Sequence, residues 1–167
     1  MIIALVGYMY VGKTTLGKRL SNILNLPLKD SDSIVEEICG CSIEEIFSQK
    51  GEVFFRERER EVLISLLKQD NIIISTGGGL PCYKDNMLLI KQYCKSIYLK
   101  MNAEQILSRT ESSKKRRPLL EKVLPEERLN YIEKSLKERD FFYKQADLHI
   151  EAFSVNNLDL QILIDYL

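Results

Sequence analysis

The chain has 167 residues, 45% of them apolar and 29% charged, with Lys+Arg and Asp+Glu equal at 24 each. That length suits one domain, 1–167, whose core needs no disulfide or structural metal. The balanced charge supplies no general field for nucleic acid or an anionic membrane. The opening apolar run stops at Val6 and has no basic flank, too short for a secretion signal or a membrane span. A cytoplasmic monomer is the expectation.

Ile2–Val6 reads as a strand, and G-Y-M-Y-V-G-K-T-T, Gly7–Thr15, follows it directly. A strand, a loop bounded by Gly7 and Gly12, and Lys-Thr opening a helical pattern over Lys13–Leu24 form the layout of a phosphate-binding P-loop. Its glycines let successive N–H groups of Tyr8, Met9, Tyr10 and Val11 curl towards phosphate oxygens, and the helix start adds unpaired donors and a positive dipole end. Lys13 brings a mobile charge to the outer phosphates. Thr14 brings a hydroxyl for Mg²⁺, and Thr15 continues the loop into the helix. A nucleoside triphosphate is the implied ligand.

The second strand, Leu28–Asp30, ends in Asp30-Ser31-Asp32. In an extended chain, carboxylates two apart point to the same side. One could then reach the water shell of Mg²⁺ and the other an acceptor hydroxyl. The competing reading makes one aspartate the cap of a helix over Ser33–Cys39. Helical patterns follow at Ile43–Gln49 and Glu52–Leu67, where Phe55, Val62 and Leu66 form an apolar stripe and Arg58 and Arg60 read as a solvated face. Arg56 and Glu59, three apart, can pair. Spacing alone leaves open whether that pair steadies a ligand-binding guanidinium or is an ordinary surface ion pair.

The third strand, Asn71–Ser75, runs into Gly77-Gly78-Gly79. Three consecutive glycines cost more backbone entropy than a turn requires, so they imply close approach of a ligand to the backbone. A helix over Lys84–Tyr93, a strand over Ser96–Leu99 and a helix over Ala103–Arg109 come next. The segment Glu111–Pro118 then carries four consecutive cations, Lys114 to Arg117, without apolar periodicity. Such a basic block reads as a solvated lid, about 110–122. A helix over Glu126–Lys144 contains Arg139, and the strand Leu148–Ile150 and the helix Leu158–Leu167 close the chain.

Alternating short strands and helices imply a parallel sheet covered on both faces, with ligands beyond the carboxyl ends of its strands. Phosphoryl transfer there needs a base, and the only histidine, His149, lies inside a strand-like run, so the base should be a carboxylate. Cys39, Cys41, Cys82 and Cys94 lack zinc-knuckle spacing and read as reduced thiols. The pattern leaves the acceptor open: a small metabolite such as gluconate or a nucleoside monophosphate, or no acceptor at all in a nucleotide-binding regulator.

The ordered set G-Y-M-Y-V-G-K-T-T, D-S-D, G-E-V-F-F-R-E-R-E at Gly51–Glu59, S-T-G-G-G at Ser75–Gly79, R-R-P-L-L at Arg116–Leu120 and R-D-F-F-Y at Arg139–Tyr143 resembles the shikimate kinase family. The resemblance runs from Ile2 to about Leu148. It implies a compact three-layer P-loop kinase fold of five parallel strands with a lid. It also implies transfer of the γ-phosphoryl of ATP to the 3-hydroxyl of shikimate, with Mg²⁺, on the way to the aromatic amino acids. By resemblance, Lys13 contacts the β/γ-phosphates, Thr14 ligates Mg²⁺, Asp30 holds the metal through water, and Asp32 binds the acceptor hydroxyl as its base. Arg56 and Arg139 clamp the shikimate carboxylate beside Gly77, Gly78 and Gly79. Arg117 reaches the transferring phosphoryl from the lid, and Arg109 lies against adenine. The chain departs from the family at Tyr10, where the loop usually has glycine, and at Ser154–Asn157, where an arginine or proline is common.

Overall fold

The structure is a computed structural model and describes residues 1–113, 120, 122–152 and 157–167, of which 157–159 by backbone alone. Most of the expected lid, Arg117 included, lies outside the described residues, as do positions 154–156 of the second departure. Five strands, β1 (Ile2–Val6), β2 (Leu28–Asp30), β3 (Ile72–Ser75), β4 (Lys95–Lys100) and β5 (Leu148–Glu151), form one sheet in the order β2-β3-β1-β4-β5. Every pairing is parallel, with Ile2 opposite Ile72 and Val6 opposite Tyr98 on the two sides of β1. Successive side chains of β1 point to opposite faces, yet all five are buried. Both faces of the sheet are therefore covered, which is why this strand reads as an unbroken apolar run rather than an alternating one. The expected parallel sheet with its helices is the observed fold.

The helices are α1 (Lys13–Leu24), α2 (Ser31–Cys39), α3 (Ile43–Leu66), α4 (Asn86–Tyr93), α5 (Ala103–Ser112), α6 (Arg128–Tyr143) and α7 (Asn157–Tyr166). The apolar stripe Phe55, Val62 and Leu66 lies in the core as expected. A capping box between Ser42 and Glu45 starts α3. The break expected between Gln49 and Glu52 falls at Gly51 (φ 81°), a left-handed geometry that interrupts the helix without ending it. Two short 3₁₀ turns, Leu80–Cys82 and Pro125–Glu127, precede α4 and α6. The second takes up the start of the helix expected from Glu126, because Pro125 sits well at a helical start.

Three expectations are corrected. The helix α2 begins at Ser31, two residues early, because Asp30 caps it by accepting from the N–H groups of Asp32 (3.1 Å) and Ser33 (3.3 Å). Asp32 therefore stands in the first turn of a helix, and the picture of two carboxylates along one extended strand is wrong. Arg60 is no solvated charge: it pairs with Asp85 and donates to Asn86 Oδ1, each at 2.6 Å, fastening α3 to the start of α4. That helix starts at Asn86 rather than Lys84, whose φ of 49° is left-handed. The four cysteines are free thiols, and burial pushes Cys82 up to about 11 and Cys94 up to about 12. Among the described residues no helix is long and apolar enough to cross a membrane.

Candidate active site

The carboxyl end of β1 delivers the chain into the P-loop. Gly7 has φ 141°, and a Cβ there would sit 2.6 Å from the Leu99 carbonyl oxygen of β4, so only glycine fits. Gly12 (φ 97°) precedes α1 and has no side chain to cap it. The first N–H groups of that helix are thus presented to the loop's concavity, the usual setting for a phosphate. Lys13, buried at 7% exposure, arches over the loop and donates to the carbonyls of Gly7 (2.8 Å) and Tyr8 (2.6 Å).

Thr14 Oγ1 donates to Asp30 Oδ2 at 2.8 Å and lies 3.2 Å from Ser75 Oγ at the end of β3. Three hard oxygen ligands from three elements meet at the mouth of the loop. One carboxylate among hydroxyls suits Mg²⁺, which binds through one or two carboxylates and completes its shell with waters and substrate phosphates. The sequence-based reading gives Ser75 no role beyond closing the third strand and opening the S-T-G-G-G motif, since only the pairing of β3 beside β1 places it against Thr14.

Tyr10 adopts φ 65°, the left-handed region that glycine enters without steric cost. Its carbonyl and that of Val11 accept from Arg109 Nη1 at 3.3 and 3.1 Å, while Nη2 donates to Ala152 O at 3.2 Å. Arg109 therefore ties the loop to the end of β5. With the aromatic ring removed, glycine at this position should be more stable than alanine by about 0.5–1 kcal/mol, the reverse of the usual order. Denaturant titrations of Tyr10→Gly and Tyr10→Ala check this, and alanine equal to glycine would contradict it.

Beside the phosphate pocket lies a second pocket, lined by Arg56, Glu59, Gly78, Gly79 and Arg139 among others; both pockets share Met9 and Asp32. Asp32, 5% exposed, stands on their common wall. Its position comes from two restraints: the Asp30 cap fixes the first turn of α2, and the buried Ser31 Oγ accepts from the Gly77 N–H at 2.8 Å. The D-S-D segment and the glycine triplet are thereby bonded to each other.

Each glycine of the triplet makes room for a neighbouring group, with no left-handed backbone at any of the three. A Cβ on Gly77 would collide with Asp32 Oδ1 and Glu59 Oε1, one on Gly78 would stand 3.1 Å from Met9 N, and one on Gly79 would stand 2.5 Å from the Arg56 guanidinium. The Arg56 side chain, 11% exposed, is held by Glu59 on one side and by Glu52 at 3.1 Å on the other. Glu59 is 1% exposed, and its Oε1 has no hydrogen-bond partner among the described residues. Burial raises its carboxyl to about 7 against the downward pull of Arg56, and the charge of Asp32 adds to the rise. Arg139 enters the same pocket from α6, its guanidinium 5.1 Å from the centroid of the Tyr8 ring. Glu59 appears in the sequence only as a partner for Arg56. Its place against Asp32 and Gly77 is a product of α3 packing across two loops.

A phosphate cradle at the tip of the central strand, a hydroxyl–carboxylate cluster at its mouth, and an adjoining pocket with two partly buried arginines across a shared carboxylate define a P-loop kinase for a small anionic acceptor. The comparisons with known proteins narrow that class. The family model described as shikimate kinase matches residues 9–160. A shikimate kinase of Flavobacterium psychrophilum is 43% identical over 86% of this chain and 85% of its own length. One of Flavobacterium johnsoniae is 38% identical over 99% and 98%. Among solved structures, shikimate kinase from Bacteroides thetaiotaomicron superimposes with a TM-score of 0.92 at 35% identity, covering 99% of this chain and 98% of that one. Shikimate kinase from Acinetobacter baumannii in complex with shikimate gives 0.86 at 36% identity, covering 99% and 93%. The chain belongs to the shikimate kinase family. Its activity is the ATP-dependent phosphorylation of shikimate.

Proposed function

We propose that Asp32 is the base that takes the proton of the shikimate 3-hydroxyl as that oxygen attacks the γ-phosphorus of ATP. The observation that supports this role most directly is the position of Asp32 on the wall shared by the phosphate pocket and the two-arginine pocket. The triphosphate lies in the P-loop, Gly7 to Thr15, with Lys13 moving from the loop carbonyls to the β/γ-oxygens. Thr14 and Asp30 would hold Mg²⁺, Asp30 through water, and the ion would neutralise charge on the phosphate oxygens. Arg56 and Arg139 take the shikimate carboxylate. A guanidinium fork suits that planar anion, and both forks are already desolvated and steadied. The glycine triplet lets the ring of shikimate approach the backbone of Gly78 and Gly79.

Arg109, fixed in plane by three carbonyls, offers adenine a flat face on the β5 side of Gly12. Arg117 contributes to the transferring phosphoryl as the family resemblance implies. All these groups come from one chain, consistent with a monomer, and the reading places the enzyme in the cytoplasm, where ATP is supplied. A coupled assay of ADP release with ATP, Mg²⁺ and shikimate tests the assignment of acceptor. Release should require shikimate, and gluconate or nucleoside monophosphates should not replace it. A rate unchanged on adding shikimate would overturn it.

A further inference from the structure

Beneath the glycine triplet lies a residue that touches neither pocket. Tyr143, the last residue of α6, is fully buried, and its hydroxyl donates to the Gly78 carbonyl oxygen. Its ring is fixed by Tyr98 of β4, with centroids 5.2 Å apart. One helical turn earlier, the same face of α6 carries Arg139, whose guanidinium faces the Tyr143 hydroxyl. We propose that Tyr143 is the positioning residue of the acceptor pocket, setting the direction of the Gly79 N–H and the seat of Arg139 together.

The argument rests on peptide geometry. The Gly78–Gly79 peptide is planar and trans, so its carbonyl and its N–H point in opposite directions. A hydroxyl that pins the Gly78 carbonyl down towards α6 therefore turns the Gly79 N–H up, towards the pocket that Arg56 and Arg139 line. Without that anchor the peptide could rotate cheaply, because no Cβ at Gly78 or Gly79 restrains it. The neighbouring peptides are held independently: the Gly77 N–H by Ser31 Oγ, the Gly77 carbonyl by the Leu80 N–H at 3.2 Å, and the Gly79 carbonyl by the Cys82 N–H at 3.1 Å. Tyr143 supplies the anchor for the one peptide between them. This inference rests on the reading that Arg139 takes the shikimate carboxylate while shikimate lies against the backbone of Gly78 and Gly79.

Tyr143→Phe removes the oxygen and keeps the ring. The KM for shikimate should rise about tenfold or more, as for an orphaned buried carbonyl and a released donor. Meanwhile kcat should fall less and the KM for ATP should stay put. The matched control is Tyr98→Phe, which loses only a long 3.4 Å contact to Asp140 from the other ring of the pair and should leave the shikimate KM unchanged. A purely structural role would lower thermal stability in both variants without this split between substrates. An unchanged shikimate KM in folded Tyr143→Phe overturns the proposal. If that variant does not fold, the wild-type protein labelled with ¹⁵N-glycine decides the question. Its eight glycine amides can be followed during shikimate addition. The Gly79 signal must move while that of Gly40, beyond the far end of α2, stays; a stationary Gly79 overturns the proposal. Absence of shikimate-dependent turnover in the wild-type protein would instead remove the reading on which it rests.

Discussion

Asp32→Asn is expected to lose about 10²–10⁴-fold in kcat, the usual contribution of a positioned general base. The amide keeps the shape and a hydrogen-bonding oxygen but has no basic site for the departing proton. Binding of ATP should persist, because the loop N–H groups, Lys13 and the Thr14–Asp30 pair are left in place. Single-turnover kinetics with saturating ATP separate the chemical step from binding. Near-normal turnover would move the base elsewhere, and the remaining buried carboxyl in the pocket is Glu59. That residue is poorly suited to replace Asp32: it is paired with Arg56 and lines the second pocket without lining the phosphate pocket.

Arg56→Ala should weaken shikimate binding by about 2–5 kcal/mol, the range for truncating one partner of a buried charge pair. In the assay this is roughly a thirtyfold or greater rise in the shikimate KM. The effect exceeds that of a surface arginine because the guanidinium is already dehydrated and held by two carboxylates before substrate arrives. Loss of the cation also withdraws the group that pulls the Glu59 pKa down, which favours the neutral form of the carboxyl left behind. That protonation limits the stability penalty, and the variant should fold. Isothermal titration with shikimate checks the prediction, and an unchanged Kd would remove Arg56 from the acceptor site.

Residues whose chemistry is local are legible in the sequence. The P-loop is one, because strand, glycines, lysine and threonine are contiguous and the backbone itself makes the site. The glycine triplet is another, and the structure supplies its reason: each missing Cβ makes room for a particular group, Asp32 and Glu59 at Gly77, the Met9 backbone at Gly78 and Arg56 at Gly79. The D-S-D segment is legible only in part. Its residues are found from sequence, but the helix cap at Asp30 puts Asp32 in the first turn of α2, where it lines the second pocket as well as the phosphate pocket that Asp30 lines, and no i, i+2 argument contains that turn. Arg60 is misread because a helix-face pattern cannot reveal that α4 begins with an acid and an amide directly opposite.

The amino-acid sequence by itself determines that this protein binds a triphosphate and that it has five strands, since periodicity and turn chemistry act over a few residues. The tertiary structure alone decides what stands across the pocket from what. It brings Ser75 to Thr14, Glu59 to Gly77, Arg109 to the loop carbonyls of Tyr10 and Val11, and Tyr143 beneath Gly78. The contacting pairs are separated by 61, 18, 98 to 99 and 65 positions along the chain, respectively. At such separations no local pattern links two residues. Their meeting follows from the order of strands in the sheet and the burial of helices against it.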